Sequence, residues 1–159
     1  MSEMVRSDVS VRPLAPSDRG PWRRLYQGYA EFYAVPMTEE IADQLWSWLM
    51  DPSAALKGYV AEIKDTGEVI GIAHIRPYPR SLSGSWAGFL DDFYVDPAHR
   101  RRGAGRALMT AVAAHARAAG WSFVRWMTAD DNHTAQHLYD RVASRTRWVT
   151  YQLDPKNLG

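Results

Sequence analysis

An extended segment gives way to a helical pattern at Arg100-Arg101-Arg102-Gly103-Ala104-Gly105-Arg106, where two glycines follow a run of arginine. A turn of this kind presents successive backbone N–H groups, reinforced by the helix dipole, to an anion such as a phosphate. Gly103 and Gly105 let the backbone come close to such a group. Alone, the pattern serves a plain turn with solvated arginines equally well. Two rival phosphate motifs fail, since a dinucleotide fingerprint needs a small residue where Leu108 stands and a P-loop needs lysine where Arg106 stands. His133 and His137 have the spacing of helical metal ligands, but no third ligand accompanies them, so a solvated helix face is the better reading and no metal is expected. With no cysteine, disulfides, thiolate metal sites and sulfur nucleophiles are excluded together.

The elements that must hold this turn can be read from hydrophobic periodicity. Val9, Val11 and Leu14 alternate with polar residues and predict a short strand, after which Pro16-Ser17-Asp18 opens a helix near Asp18. Trp22, Leu25, Tyr26, Tyr29 and Tyr33 form its buried stripe. Thr38, Glu39 and Glu40 cap a second helix with Ile41, Leu45, Trp48 and Leu49 on one face, ended by Asp51-Pro52. Residues 59–63 and 69–75 read as an antiparallel hairpin, and Pro77 to Gly88 as a loop. A central strand covers Phe89 to Val95, and a helix rich in small residues runs from Gly103 to Gly120. A strand over Phe123 to Thr128, a short helix over His133 to Val142 and a last strand over Trp148 to Leu153 complete the chain.

At 159 residues, 46% apolar and 12% aromatic, the composition is that of one domain spanning residues 1–159. A formal charge of +1 argues against a polyanionic partner, so no nucleic acid is expected. No run approaches the ~18 apolar residues that span a bilayer, and Met1 to Arg6 lacks an apolar signal region. No membrane association and a cytoplasmic protein are expected.

Within this frame, Leu90-Asp91-Asp92-Phe93-Tyr94-Val95-Asp96-Pro97 followed by Arg100-x-x-Gly103-x-Gly105-Arg106-Ala107-Leu108 resembles motif A of the GNAT superfamily of acyl-CoA N-acyltransferases. Asn132, Ala135, Leu138 and Tyr139 similarly resemble motif B. Trp22-x-x-Leu25-x-x-x-Tyr29-x-x-Phe32-Tyr33, and Leu138-Tyr139-Asp140-Arg141-Val142-Ala143 with Val149-x-Tyr151, resemble the histone/polyamine acetyltransferase-like branch. One departure is that Ala143-Ser144, with Trp148 beyond, replaces the Gly-Phe pair common after motif B.

The resemblance implies an α/β (α+β) GNAT fold: a twisted, mixed, mostly antiparallel sheet splayed at the motif A strand and flanked by helices. It implies acetyl-CoA as cofactor, with pantetheine on the backbone of Phe93, Tyr94 and Val95, pyrophosphate on Arg100, Arg101, Arg102, Gly103, Ala104, Gly105 and Arg106, and further contacts from Asn132, Ala135 and Tyr139. A backbone N–H near Tyr94 would polarise the thioester carbonyl. An alkylamine with pKa near ~10 arrives as ammonium, so a carboxylate or a water must take its proton. Asp91 and Asp92 are the candidates. Strand alternation sends them to opposite faces, so only one lines the reaction site, and Asp92 is preferred. Tyr139 is the candidate general acid for the departing thiolate. Tyr33, Trp86 and Tyr78 are candidates for an aromatic pocket around a cationic acceptor, a small molecule or a lysine side chain. A homodimer is compatible with the aromatic surface, and a CoA-sensing module without turnover is the alternative function.

Overall fold

The computed structural model describes residues 8–159, so the stretch from Met1 to Arg6 lies outside the described residues. The chain divides into two compact units, one through Met127 and one from Thr128 to Gly159.

The first unit is built on a sheet of β1 (Val9–Pro13), β2 (Lys57–Ile63), β3 (Val69–Arg80), β4 (Ser85–Val95) and β5 (Val124–Arg125), in that spatial order. The first four strands pair antiparallel with their neighbours, and β5 runs parallel to β4. This is the expected mixed, mostly antiparallel sheet. Helices α1 (Arg19–Phe32) and α2 (Glu39–Met50) cover one face, where Trp22, Leu25, Ala42, Leu45 and Leu49 pack with Val60, Val69 and Ile72. Helix α3 (Ala104–Ala119) lies on the other face, with Leu108 against Gly71 so closely that a Cβ there would approach its side chain to 3.1 Å. Coverage of both faces explains why β3 is buried without alternation from Val69 to Ile75.

Helix α1 starts where the sequence indicates. Asp18 stands at its N-cap position without a side-chain bond to the helix, and its carboxylate instead accepts from Arg12 at 2.8 and 2.9 Å and from the Ala15 amide at 2.8 Å. In α2, Thr38 Oγ1 accepts from Ile41 N at 3.2 Å, the expected cap. Its buried face differs from expectation: Ile41 and Trp48 are half-exposed, and Ala42, Leu45 and Leu49 are buried. Trp46, 4.9 Å from Trp22 between ring centroids, rolls the helix toward that face.

The segment Pro77 to Gly88 is not a loop. β3 and β4 continue as a ribbon to Arg80↔Ser85, closed by a short 3-10 turn over Ser81–Ser83. Ile70 accepts from Asp96 N, so even-numbered residues of β3 turn their backbone groups to β4. Pro77 and Pro79 fall on the opposite parity, beyond the end of β2, where no ladder needs their missing N–H. The expected strand over Phe123 to Thr128 shrinks to Val124–Arg125, because its pairing with β4 covers only Gly88↔Val124 and Phe89↔Arg125.

The second unit holds α4 (His133–Val142), with the bounds read from sequence. Asn132 caps it, Oδ1 accepting from Ala135 N at 3.4 Å while Nδ2 donates to Thr128 Oγ1 at 3.3 Å. The expected strand over Trp148 to Leu153 does not form, since no ladder among the described residues includes it and the segment is exposed. Among the described residues no helix is long and apolar enough to cross a membrane.

Candidate active site

The chemistry concentrates where β3 faces β4. His74 pairs in register with Asp92 and Ile75 with Leu90, which leaves Asp91 as an extra residue, a bulge in β4. Alternation therefore fails at this point. The Asp91 carboxylate accepts from Arg76 Nε at 2.9 and 3.1 Å, and Asp92 Oδ2 lies 2.8 Å from His74 Nδ1. His74 and Arg76 are two residues apart on β3 and share one face, so both carboxylates turn to that face. The expectation that the two acids point to opposite faces is corrected by the bulge.

That face lies under α1, whose aromatic residues recur at helical spacing and form a continuous band. Trp22 stacks on Tyr26 at 5.4 Å, Tyr26 on Tyr29 at 5.7 Å, and Tyr29 meets Tyr33 at 5.1 Å and Tyr94 at 6.1 Å. Burial pushes the Tyr26 and Tyr29 phenols up, and the negative charge of Asp92 pushes both further. Both phenols therefore stay protonated at neutral pH. Burial likewise raises the Asp91 carboxyl, Arg76 draws it back down, and Asp92 adds to the rise. Gly28 brings α1 close to β4, since a Cβ there would sit 2.7 Å from the Tyr94 hydroxyl.

Beyond Phe89 the β4–β5 ladder stops and the strands part, upstream of Phe93, Tyr94 and Val95. The chain then turns through Asp96, whose carboxylate accepts from Ala98 N at 2.9 Å, and a 3-10 turn over Pro97–His99. Arg101 and Gly103 both adopt left-handed backbone conformations, with φ of 69° and 80°. Gly103 is the N-cap of α3 and supplies no side-chain bond. The first intrahelical bond runs from Ala107 N to Gly103 O, which leaves the Ala104, Gly105 and Arg106 amides directed out of the helix start. Arg100, Arg101 and Arg106 are exposed around it, whereas Arg102 pairs with Asp8 at 2.7 Å. An uncapped helix start ringed by guanidinium groups fits the pyrophosphate of coenzyme A.

In the second unit, Ala135 and Tyr139 lie one turn apart on α4 behind the Asn132 cap. Among the described residues no cluster of His, Asp or Glu could hold a metal ion. The three aromatic residues expected to form one acceptor pocket fall into separate groups. Tyr33 continues the α1 band, Tyr78 packs with Phe89 and Phe123 at 6.5 and 6.4 Å, and Trp86 is 56% exposed opposite Pro79. Sequence reasoning missed His74 and Arg76 and took Trp22, Tyr26 and Tyr29 for core. The available signal was one histidine inside the apolar run from Val69 to Ile75.

Residues 22–143 match the Acetyltransferase (GNAT) family, and the chain belongs to it. It is 33% identical over 150 residues to the D-amino-acid N-acetyltransferase HPA3 of Saccharomyces cerevisiae, covering 94% of this chain and 93% of that one. It is 32% identical to an aminoglycoside N(6')-acetyltransferase type 1 of Stenotrophomonas maltophilia, covering 74% and 73% of the two chains. An aminoglycoside N-acetyltransferase solved with CoA shares the fold, with a TM-score of 0.80 at 18% identity over 92% of this chain and 95% of that one. The protein is an acyl-CoA-dependent N-acetyltransferase, and its acetyl donor is acetyl-CoA.

Proposed function

We propose that this enzyme acetylates a cationic primary amine by direct attack, with Asp92 as base and Tyr139 as acid. The observation that carries the reading is the pair of carboxylates turned to one face of the sheet beneath the tyrosines of α1. Acetyl-CoA supplies an activated acyl group and a thiolate leaving group. Arg100, Arg101, Arg106 and the amides of Ala104 to Arg106 bind its pyrophosphate, with Arg102 steadying the turn through Asp8. Phe93, Tyr94 and Val95 hold pantetheine through their backbone, and the motif B positions Asn132 and Ala135 assist.

An amine with pKa near ~10 is almost wholly ammonium at neutral pH, so it must lose a proton before it can attack. Asp91 and the tyrosine rings attract that cation, and Asp92 accepts the proton. The phenol of Tyr139 protonates the departing sulfur, a role supported by its motif position. Tyr33, whose ring touches Tyr29, contacts the acceptor, while Tyr78 and Trp86 contact its more distant parts.

Polyamines and lysine side chains are the acceptor classes of the branch the sequence resembles, and the relatives' names add amino acids and aminoglycosides. All present a primary amine. Purified enzyme with acetyl-CoA and a panel of D-amino acids, aminoglycosides, polyamines and lysine peptides is expected to release CoA and yield an N-acetylated product with at least one of them. Binding of acetyl-CoA with no release across the panel contradicts the reading.

We further propose a homodimer built on the C-terminal segment. Trp148, Val149, Tyr151 and Leu153 are 72%, 76%, 92% and 66% exposed, in a sequence with strand-type alternation from Val149 onward that lies outside any sheet among the described residues. Light scattering is expected to give a dimer mass that falls to the monomer when Val149, Tyr151 and Leu153 become serine. A monomeric parent protein refutes it.

A further inference from the structure

We propose that Trp22 fixes the tautomer of His74, and that His74 acts as the positioning residue for the Asp92 carboxylate. The inference deepens the base assignment above and rests on it. Three observations carry it. His74 is fully buried in the middle of β3, directly opposite Asp92 in register. The indole Nε1 of Trp22, itself fully buried, lies 3.0 Å from His74 Nε2. His74 Nδ1 lies 2.8 Å from Asp92 Oδ2.

Donor and acceptor rules leave one arrangement. An indole N–H can only donate, so Nε2 must present its lone pair, and the single ring proton of a neutral imidazole then sits on Nδ1. A carboxylate accepts only, so Nδ1–H donates to Asp92. A proton on Nε2 would face the indole N–H with a second N–H. Donation therefore runs in one direction, from Trp22 to His74 to Asp92, with the first link fully buried and the second partly buried.

The consequence is positional. One carboxylate oxygen of Asp92 is held by His74, and its negative charge lies close enough to Tyr29 to help keep that phenol protonated. Asp92 is thus tethered at one oxygen, while its side chain keeps 15% exposure. The other groups facing this cluster are Tyr26 from α1 and the Arg76–Asp91 pair across the bulge. Holding the Asp92 carboxylate requires the Nδ1–H tautomer, because with the proton on Nε2 two lone pairs would oppose each other at Asp92.

The test starts with the unaltered full-length protein, 15N-labelled on histidine and loaded with acetyl-CoA, in long-range proton–nitrogen correlation spectra at pH 7.5. The His74 signals, assigned by their loss in His74→Asn, are expected in the Nδ1–H pattern. An Nε2–H pattern, or averaging between the two, overturns the proposal. Misplacement of a reacting group by about 1 Å can cost up to ~100-fold in rate. Trp22→Phe is therefore expected to lower kcat by about tenfold or more with the KM for acetyl-CoA little changed. His74→Asn, whose amide can donate from near the place of Nδ1, is expected to retain more activity than His74→Leu. Adding His74→Leu to Asp92→Asn is expected to cost nothing further. If Asp92→Asn is fully active, the base assignment fails whatever the tautomer. If Asp92→Asn is inactive while the tautomer is reversed, or Trp22→Phe keeps the parent kcat, only the positioning proposal fails.

Discussion

Asp91 and Asp92 are successive residues of β4 whose carboxylates bond to Arg76 and His74, two residues apart on β3, so both acids turn to the same side of the sheet. Their surroundings differ. Asp92 lies against buried histidine and tyrosine, whereas Asp91 meets a guanidinium that is 44% exposed. We assign the proton transfer to the first and cation recognition to the second.

Asp91→Asn is expected to raise the KM for the amine about tenfold, equivalent to ~1.4 kcal/mol of binding, with kcat within a few-fold of the parent. Burial holds the Asp91 carboxyl above its ordinary range, so ionising it above pH ~4 works against the fold. The variant is therefore expected to melt at pH 7 no lower than the parent. A lower Tm in scanning calorimetry would contradict this sign.

Asp18 is the opposite case. Its hydrogen bonds from Arg12 hold the carboxyl below its ordinary range. The stabilisation is present in full above the unfolded value of about 3.9 and is lost as the pH falls from there through the folded value. Asp18→Asn is expected to lower stability at pH 7 by roughly 2 kcal/mol, since Asp18 is buried but Arg12 is partly screened by solvent. The deficit should shrink toward pH 3, as followed by urea unfolding.

Gly88 joins β4 to β5 beneath Trp121. A Cβ there would stand 2.2 and 2.3 Å from two atoms of the indole ring, which must move. Gly88→Ala is expected to destabilise the protein by about 1 to 3 kcal/mol, and the additional Trp121→Ala change to relieve the clash while costing packing of its own. Thermal melts of Gly88→Ala, Trp121→Ala and the double variant check the coupling.

The helices were legible because their signals are local. Thr38 and Asn132 cap α2 and α4 as their residue types dictate, and the stripe of α1 lies in consecutive turns. The Arg100 to Arg106 turn was legible through its glycines, although only the structure separates Arg102, bound to Asp8, from its neighbours. Long-range pairing was not legible. The prolines at 77 and 79 read as loop because the sequence does not disclose that β2 has already ended beside them. The bulge at Asp91 has no local mark either, so alternation sent the two acids apart. His74 was overlooked for the same reason, since its partners, Trp22 and Asp92, are 52 and 18 residues away.

Tyr139→Phe separates turnover from sensing. An enzyme using this phenol as acid is expected to lose about 10- to 1,000-fold in kcat while keeping its affinity for acetyl-CoA. A module that only senses the cofactor would be unaffected in ligand-dependent melting and would show no turnover to lose. Calorimetric binding beside steady-state rates distinguishes the two.

The most direct test of the base assignment is the steady-state rate of Asp92→Asn with acetyl-CoA and the best amine of the panel, measured beside acetyl-CoA affinity. We predict a fall in kcat of roughly 10²- to 10⁴-fold with acetyl-CoA affinity unchanged. Turnover at the parent rate would contradict the assignment of Asp92 as the base.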